Sequence, residues 1–268
     1  MRRTTTIALF AGVTAAAALP IPPAMASQQD ATVSVLHAVP GLTVDVYVNG
    51  EETIADFTPG TLTDPMMLPA GSYDIEVYAD GDTPDSAEPA LSASGRDVPA
   101  GANLTLAAHL DADGAPMLSA FANDASATAA GDARLTVRHS AAAPAVDVRA
   151  GGTAIIEGLS NPDEQVLDLT AGTVSADVVL AGSEDAVLGP VDVTLTEGTN
   201  TIVYAWGSAT DDTLDLAVQV IDGRHSDPEG VPAGQGGLAG NGPLVLLALA
   251  GVAGAGVAGR YLIAARQA

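Results

Sequence analysis

Apolar and polar residues alternate along most of the chain between residues 31 and 223. Val33, Val35 and His37 fall on one side of an extended segment, and the same two-residue period returns further on at Val44 and Val46. Successive side chains of a β-strand point to opposite faces, so this period predicts short strands with one buried face. No period of 3.6 residues appears outside the chain ends. The pattern predicts an all-β fold with about seven strands in each of two repeats.

The repeat is visible when the chain is compared with itself. The segment Val35-Leu36-His37-Ala38 aligns with Val137-Arg138-His139-Ser140 at an offset of 102 residues. A period of this length indicates duplicated domains rather than a solenoid. We therefore predict two tandem Ig-like antiparallel β-sandwich domains, at residues 27–124 and 133–223, joined by a short linker of small and polar residues at 125–132.

Both ends of the chain have the pattern of targeting segments. Residues 1–26 combine two arginines, an apolar run and a small-x-small cleavage signal, which predicts a secretory signal peptide. Residues 224–242 are rich in glycine and predict a stalk. Residues 243–264 are long and apolar enough for one C-terminal transmembrane helix, and 265–268 form a short tail. Arg260 and Arg266 predict that this tail is cytoplasmic, so the protein would be a single-pass type I membrane protein with extracellular domains.

Small residues recur every four positions in the predicted membrane helix. Gly251, Ala255 and Gly259 would share one helix face, where they would allow a second helix to approach closely. The pattern is consistent with a weak homodimer. The sequence favours the simpler explanation, which is the high glycine and alanine content of the segment.

Composition narrows the class of protein further. The chain has 33 acidic residues, 9 basic residues and no cysteine, and its formal net charge is -24. This charge excludes a basic nucleic-acid binder. The lack of cysteine excludes disulfide scaffolds, thiolate catalysis and cysteine-ligated metal sites. Aromatic residues make up only 3% of the chain, which predicts a core of small aliphatic side chains.

One motif occurs in both repeats. It contains a histidine, a proline-containing turn, a Val-Asp-Val strand and a glycine turn, and the second copy also carries an arginine before the histidine. The residues of the two copies are His37, Asp45 and Gly50, and Arg138, His139, Pro144, Asp147 and Gly152. This motif resembles the signature of the bacterial and archaeal domain of unknown function family 4397. The resemblance implies an extracellular, often surface-anchored β-sandwich, and it implies no particular activity.

The recurrent histidines have two interpretations. His37 or His139 could pair with Asp45 or Asp147 in a metal or acid–base site, or its ring nitrogens could bond backbone groups and fix the turn. One histidine and one carboxylate leave a metal site short of ligands, so the sequence favours the structural role. No catalytic residue and no cofactor are predicted.

Acidic residues also cluster in loops. The clusters provide weak calcium candidates, because calcium prefers six to eight oxygen ligands. These candidates are Asp80, Asp82, Asp85, Asp111 and Asp113. None of the clusters matches the EF-hand template, so the sequence favours solvated charged loops over a calcium site.

The sequence as a whole predicts a non-enzymatic module at the cell surface, acting in ligand binding, adhesion or envelope structure. Its partner would be an extracellular or envelope ligand. Two alternatives stay open: an envelope-polymer hydrolase that uses His37 or His139 as a base, and a surface spacer stabilised by calcium.

Overall fold

The computed structural model describes residues 29–223, which contain 16 β-strands. The first eight strands form one sandwich, which we call sandwich 1. They are β1 (Ala31–Ala38), β2 (Val44–Val48), β3 (Glu51–Phe57), β4 (Met66–Leu68), β5 (Gly71–Ala79), β6 (Leu91–Val98), β7 (Asn103–Leu110) and β8 (Pro116–Ala122).

The last eight strands form sandwich 2. They are β9 (Asp132–Ala142), β10 (Val146–Ala150), β11 (Thr153–Leu159), β12 (Glu164–Thr170), β13 (Gly172–Leu180), β14 (Ala186–Leu195), β15 (Thr199–Ser208) and β16 (Asp215–Asp222). Across the described chain there is no helix among these elements. The all-β prediction is therefore confirmed.

Each sandwich consists of two four-stranded sheets, and the two sandwiches have the same topology. The sheets of sandwich 1 have the orders β4-β1-β7-β8 and β3-β2-β5-β6. Those of sandwich 2 have the orders β12-β9-β15-β16 and β11-β10-β13-β14. Adding eight to each strand number of sandwich 1 gives sandwich 2. This correspondence supports the internal duplication inferred from the sequence.

The expectation of seven antiparallel strands per repeat needs two corrections. Each repeat has eight strands, and one pair of neighbours in each sandwich is parallel: β1 with β7, and β9 with β15. The other pairs are antiparallel, as predicted. Alternation of residues assigns the faces of a strand but not its neighbours. The first strand of each repeat pairs with the seventh. These two strands are far apart in sequence, so no short hairpin connects them and the alternation could not reveal their pairing.

The alternating residues fill the space between the two sheets of each sandwich. In sandwich 1 the core includes Val33, Val44, Val46, Leu104 and Leu106. Sandwich 2 has an equivalent core with Leu135, Val137, Val146, Val148 and Val203. Val33, Val44 and Val46 were predicted to be buried from the alternation, and the structure confirms them. Burying aliphatic side chains between two packed sheets is the main source of stability in such folds.

A third apolar cluster lies between the sandwiches. The outer face of the β4-β1-β7-β8 sheet packs against the outer face of the β12-β9-β15-β16 sheet, with β7 next to β9 and β15. The cluster contains Leu36, Ala107, Phe121, Ile202, Tyr204, Trp206 and Ala217. As a result β7, β9 and β15 are buried on both faces along nearly their whole length. The described residues all belong to one compact unit.

Several predicted segments lie outside the described residues. They are the signal peptide at 1–26, the stalk at 224–242, the transmembrane helix at 243–264 with Gly251, Ala255 and Gly259, and the tail at 265–268. Between residues 29 and 223 there is no helix that could cross a membrane.

Candidate functional site

The two motif histidines make the same contact in the two sandwiches. Each is buried near the end of the first strand of its repeat. The Nε2 atom of His37 lies 2.7 Å from the carbonyl oxygen of Leu42, and that of His139 lies 3.0 Å from the carbonyl oxygen of Pro144. A carbonyl oxygen only accepts hydrogen bonds, so Nε2 donates in both cases. Each histidine therefore ties the turn that follows it back to its own strand.

Burial also sets the charge of these two rings. Removal from water lowers the pKa of His37 and of His139, and the bond to the turn carbonyl offsets this only in part. Both imidazoles are therefore neutral near pH 7. A neutral ring with its N–H group committed to the backbone serves a structural purpose.

The two motif aspartates also bond to the backbone. Asp45 accepts hydrogen bonds from the backbone N–H groups of Asp56 and Gly81, at 2.9 and 3.1 Å. Asp147 accepts them from Gly158 and Gly182, at 2.7 and 3.4 Å. Each carboxylate thus joins the second strand of its repeat to an irregularity in the third strand and to the turn after the fifth.

The glycines of the motif close the hairpin between the second and third strands. Gly50 and Gly152 have φ angles of +80° and +82°, in the left-handed region that side chains disfavour.

None of the hydrogen bonds or ion pairs within residues 29–223 joins His37 to Asp45 or His139 to Asp147. The histidine–aspartate pair of the acid–base interpretation is therefore not formed.

The remaining motif residue, Arg138, has a different position and a different role. It corresponds to Leu36 of the first repeat, and both side chains lie in the contact between the sandwiches. Arg138 is only 1% exposed. Its Nη1 atom donates to Asn123 Oδ1 at 2.9 Å and to Tyr204 Oη at 2.6 Å, and its Nε atom donates to Glu164 Oε2 at 2.7 Å.

The contacts of Arg138 continue on the sandwich 1 side. Its Nη2 atom donates to the carbonyl oxygen of Ala122 at 3.1 Å, and its guanidinium carbon lies 4.5 Å from the ring centre of Phe121. Cation–π contacts of this kind gain strength when both groups are shielded from water. Arg138 therefore satisfies its donors by bonding residues of both sandwiches.

Further hydrogen bonds cross the same contact. Thr105 of β7 donates across the contact to Gln219 Oε1 at 2.9 Å, and within sandwich 2 Tyr204 donates to the same atom at 2.7 Å. The amide of Asn161 donates across the contact to the carbonyl oxygen of Leu110 at 2.8 Å and, within sandwich 2, to that of Ala141 at 2.6 Å. Buried polar groups with partners on both sides fix the relative position of two bodies.

The segment predicted as a linker is held in place at both of its ends. Ala125 packs against the cluster between the sandwiches, and Asp124 forms an ion pair with Arg134 at 2.6 Å. Thr128 is buried and donates to the carbonyl oxygen of Asp132 at 2.9 Å. Residues 125–132 therefore connect two sandwiches that are already in contact.

One group of carboxylates forms a candidate cation site. The side chains of Asp45, Asp56 and Asp80 each place an oxygen within 4.8 Å of the other two. Removal from water, together with the charges of Asp56 and Asp45, raises the pKa of Asp80. Calcium prefers six to eight oxygen ligands, so three carboxylates form only part of a coordination shell.

The other calcium candidates do not join this group. Of the five proposed from the sequence, only Asp80 belongs to it, and Asp82, Asp85, Asp111 and Asp113 do not. Asp111 instead accepts hydrogen bonds from the backbone of Asp113 and Ala115, at 2.9 and 2.8 Å, and so shapes the turn between β7 and β8.

Sequence reasoning missed the residues that matter most in these sites. Asn123, Phe121 and Tyr204 contact Arg138, Gln219 accepts a hydrogen bond from Tyr204, and Asp56 completes the carboxylate group. A signal was available for the contact between the sandwiches, since Trp206 is the single tryptophan of an aromatic-poor chain and lies beside Tyr204 in this cluster.

Together these features define a class of protein: an all-β module of two like sandwiches, in which the repeated motif residues mainly fix turns and the contact between sandwiches. A comparison with protein-family models finds a match over residues 31–149 to a domain of unknown function (DUF4397). The matched region runs from β1 into β10 and contains both motif histidines. A search of the curated proteins finds no match.

Proposed function

We propose that this protein is a non-enzymatic cell-surface module that displays two tandem, Ig-like copies of the matched family as one rigid body. The buried contacts of Arg138 carry this proposal. A guanidinium that is 1% exposed and bonded to both sandwiches resists any rotation that would separate them, because separation would leave Asn123 Oδ1 and the carbonyl oxygen of Ala122 without this donor and would break the contact with Phe121.

The proposal that sandwich 2 is a second family copy rests on the correspondence of contacts. His37 and His139 bond equivalent turns, Asp45 and Asp147 bond equivalent backbone groups, and the strand orders are the same. Two packed four-stranded sheets in each copy are consistent with the Ig-like description.

The placement at the cell surface rests on the chain ends. An N-terminal signal segment and a C-terminal apolar segment followed by arginine favour export with retention in the membrane. The high negative charge between them favours solubility and repulsion from anionic lipid.

The hydrolase alternative receives less support from the geometry. Both histidines are buried, neutral and bonded to backbone carbonyl groups, and neither is paired with a motif aspartate. A general base has to reach the proton that it abstracts, and burial opposes this.

Rigidity is tested by distance measurements between spin labels. The chain has no cysteine, so Ser72→Cys and Asp192→Cys place one label on each sandwich at exposed positions. We expect a narrow distance distribution that broadens when Arg138→Leu is added. A broad distribution in the parent protein would refute the rigid-body proposal.

Surface placement is tested by fractionation of the native cells. The full chain should be found with the membrane and be cleaved by protease added outside, and a chain that ends at residue 242 should be released into the medium. Intact full-length protein in the cytosol would exclude this placement.

A further inference from the structure

Sandwich 1 contains a large apolar cavity between its two sheets. The cavity has a volume of about 450 Å³. Most of its wall is aliphatic, including Val33, Val46, Ile75, Val77, Leu106 and Leu118. Pockets that hold small molecules in proteins have volumes of roughly 300–1,000 Å³ and similar apolar walls. An empty space of this size lowers the stability of a core, so its presence needs an explanation.

The corresponding space in sandwich 2 is nearly closed, with a volume of about 30 Å³. Two substitutions between the repeats account for part of the difference. Val33 corresponds to the larger Leu135, and Thr53 corresponds to Ile155. The same fold can therefore be filled by its own side chains, and sandwich 1 is the copy in which it is not.

The edge of sandwich 1 also provides an opening. The edge strand β4 has three residues, whereas its counterpart β12 has seven and pairs along most of β9. Met66 and Met67 of β4 lie at the cavity on this edge, together with Thr53 of β3, and Met67 is 65% exposed. Methionine side chains are flexible and adapt to varied apolar ligands.

The charges around the cavity indicate what kind of ligand it would accept. Glu51 is the only carboxylate among the lining residues and is exposed. The lining residues include no arginine, and burial keeps the one histidine, His37, neutral. An anionic headgroup would therefore find no cation here and would face a negatively charged chain.

The same histidine contributes an unpaired acceptor. Because Nε2 of His37 donates to Leu42, its Nδ1 atom carries no hydrogen, and this buried atom has no hydrogen-bond partner. In sandwich 2 the Nδ1 atom of His139 accepts a hydrogen bond from the backbone of Ala141 at 3.3 Å. The ring beside the open cavity is thus the one that lacks a donor.

We propose that the cavity of sandwich 1 is a binding site for an uncharged, largely apolar molecule that carries a hydroxyl group, such as a fatty or isoprenoid alcohol. Its hydrocarbon part would lie between the two sheets and enter past Met66 and Met67. This site is separate from the contact between the sandwiches, so it does not depend on the rigid-body proposal.

A displacement assay on the full chain tests this site. The uncharged fluorophore N-phenylnaphthylamine is bound first and is then displaced by 1-dodecanol or by dodecanoate at pH 8. We expect saturable binding with one site per chain, and displacement by the alcohol at a concentration at least about tenfold lower than by the anion. Equal or tighter binding of dodecanoate would overturn the charge argument, and the lack of saturable binding would overturn the site.

Filling the cavity provides the decisive variant. Val33→Leu with Thr53→Ile introduces the residues of sandwich 2, and we expect it to weaken fluorophore binding at least about tenfold. The matched control is Val218→Thr with Val220→Thr, which removes exposed apolar groups from β16 and should leave binding unchanged. Loss of binding in the control with retention in the filled variant would place the ligand on the outer surface instead.

A thermal shift of the unmodified chain keeps the proposal testable if the filled variant does not fold. Ligands that bind only the native state raise its Tm in proportion to the logarithm of their concentration. We expect 1-dodecanol to raise the Tm, and no rise at saturating concentration would refute the site.

Discussion

The guanidinium of Arg138 in sandwich 2 donates a 2.9 Å hydrogen bond to the side-chain oxygen of Asn123, which directly follows the last strand of sandwich 1. In the first repeat the position of Arg138 is occupied by Leu36. The two equivalent residues therefore lie on opposite sides of the same contact, where Arg138 contributes a cation and Leu36 an aliphatic side chain. The corresponding sheets of the two sandwiches pack through the same outer face, and different side chains occupy the equivalent positions.

Replacing Arg138 by leucine, the residue of the first repeat, should destabilise the protein. Asn123, Tyr204 and Glu164 would lose their shared donor inside the contact, and breaking a buried charged network costs about 3 kcal/mol. Urea unfolding measures the loss. The control is Arg96→Leu on β6, which is exposed and takes part in none of the ion pairs between residues 29 and 223, so it should cost less than about 1 kcal/mol. Equal losses in the two variants would contradict a special role for the contact.

Gly60 is a second position where the contact constrains the sequence. Its φ angle is +78°, and a Cβ atom there would lie 2.8 Å from Cζ2 of Trp206. Gly60→Ala should therefore combine backbone strain with displacement of the indole, at a cost of about 2 kcal/mol. Gly41→Ala is the control, since Gly41 has a φ angle of +84° but nothing near its Cβ position. Trp206 is the only tryptophan, so its fluorescence should change in Gly60→Ala and not in the control.

Much of the fold could be predicted from the sequence because two-residue alternation reports directly on burial within a strand. Val33, Val44 and Val46 were assigned to the core on this basis, and they lie there. The alternation gives no information about what packs against the other face of the sheet. Thr105 and Arg138 are polar and alternate with core residues, so they were indistinguishable from residues that face solvent. They are buried because a second sheet of the same chain covers them.

The candidate sites were harder to predict than the fold for a related reason. Asp45, Asp56 and Asp80 are far apart in sequence, and they meet because the pairing of β2 with β3 contains an irregularity and the turn after β5 returns to β2. Clusters that are dense in sequence, such as Asp80 with Asp82 and Asp85, did not predict this group. The cavity left no sequence signal at all, because Val33 and Thr53 are ordinary strand residues. Only comparison with Leu135 and Ile155 distinguishes the two copies.

Lowering the pH through the range in which histidine titrates should destabilise the protein, because three histidines are buried in the native state. Burial lowers the pKa of His37, His109 and His139, whereas in the unfolded chain they titrate near their ordinary value of about 6.5. Below this pH the unfolded state binds more protons than the native state, so the free energy of unfolding falls as the pH falls. Each histidine that stays neutral contributes up to about 1.4 kcal/mol per pH unit.

Urea unfolding at pH 7.5, 6.5 and 5.5 measures this dependence. His139→Gln retains a donor for the carbonyl oxygen of Pro144 but does not titrate, so it should reduce the slope between pH 6.5 and 5.5. The comparison is internal to each protein, which separates titration from any general loss of stability in the variant. The same slope in the variant and the parent would show that His139 is protonated in the native state.

The carboxylate group of sandwich 1 should respond to pH in the opposite direction. The pKa of Asp80 is raised by removal from water and by Asp56 and Asp45, so the native state binds a proton there more readily than the unfolded state does. Its ionisation therefore opposes folding at neutral pH, and this effect disappears as the pH falls below the pKa.

Asp80→Asn should raise the Tm at pH 7 and lose this advantage in acid. The scans are made in EDTA, so that no divalent cation offsets the repulsion, and Asp82→Asn, which lies outside the group, should leave the Tm nearly unchanged. A lower Tm for Asp80→Asn at pH 7 would mean that its carboxylate stabilises the loop, contrary to the repulsion argued here.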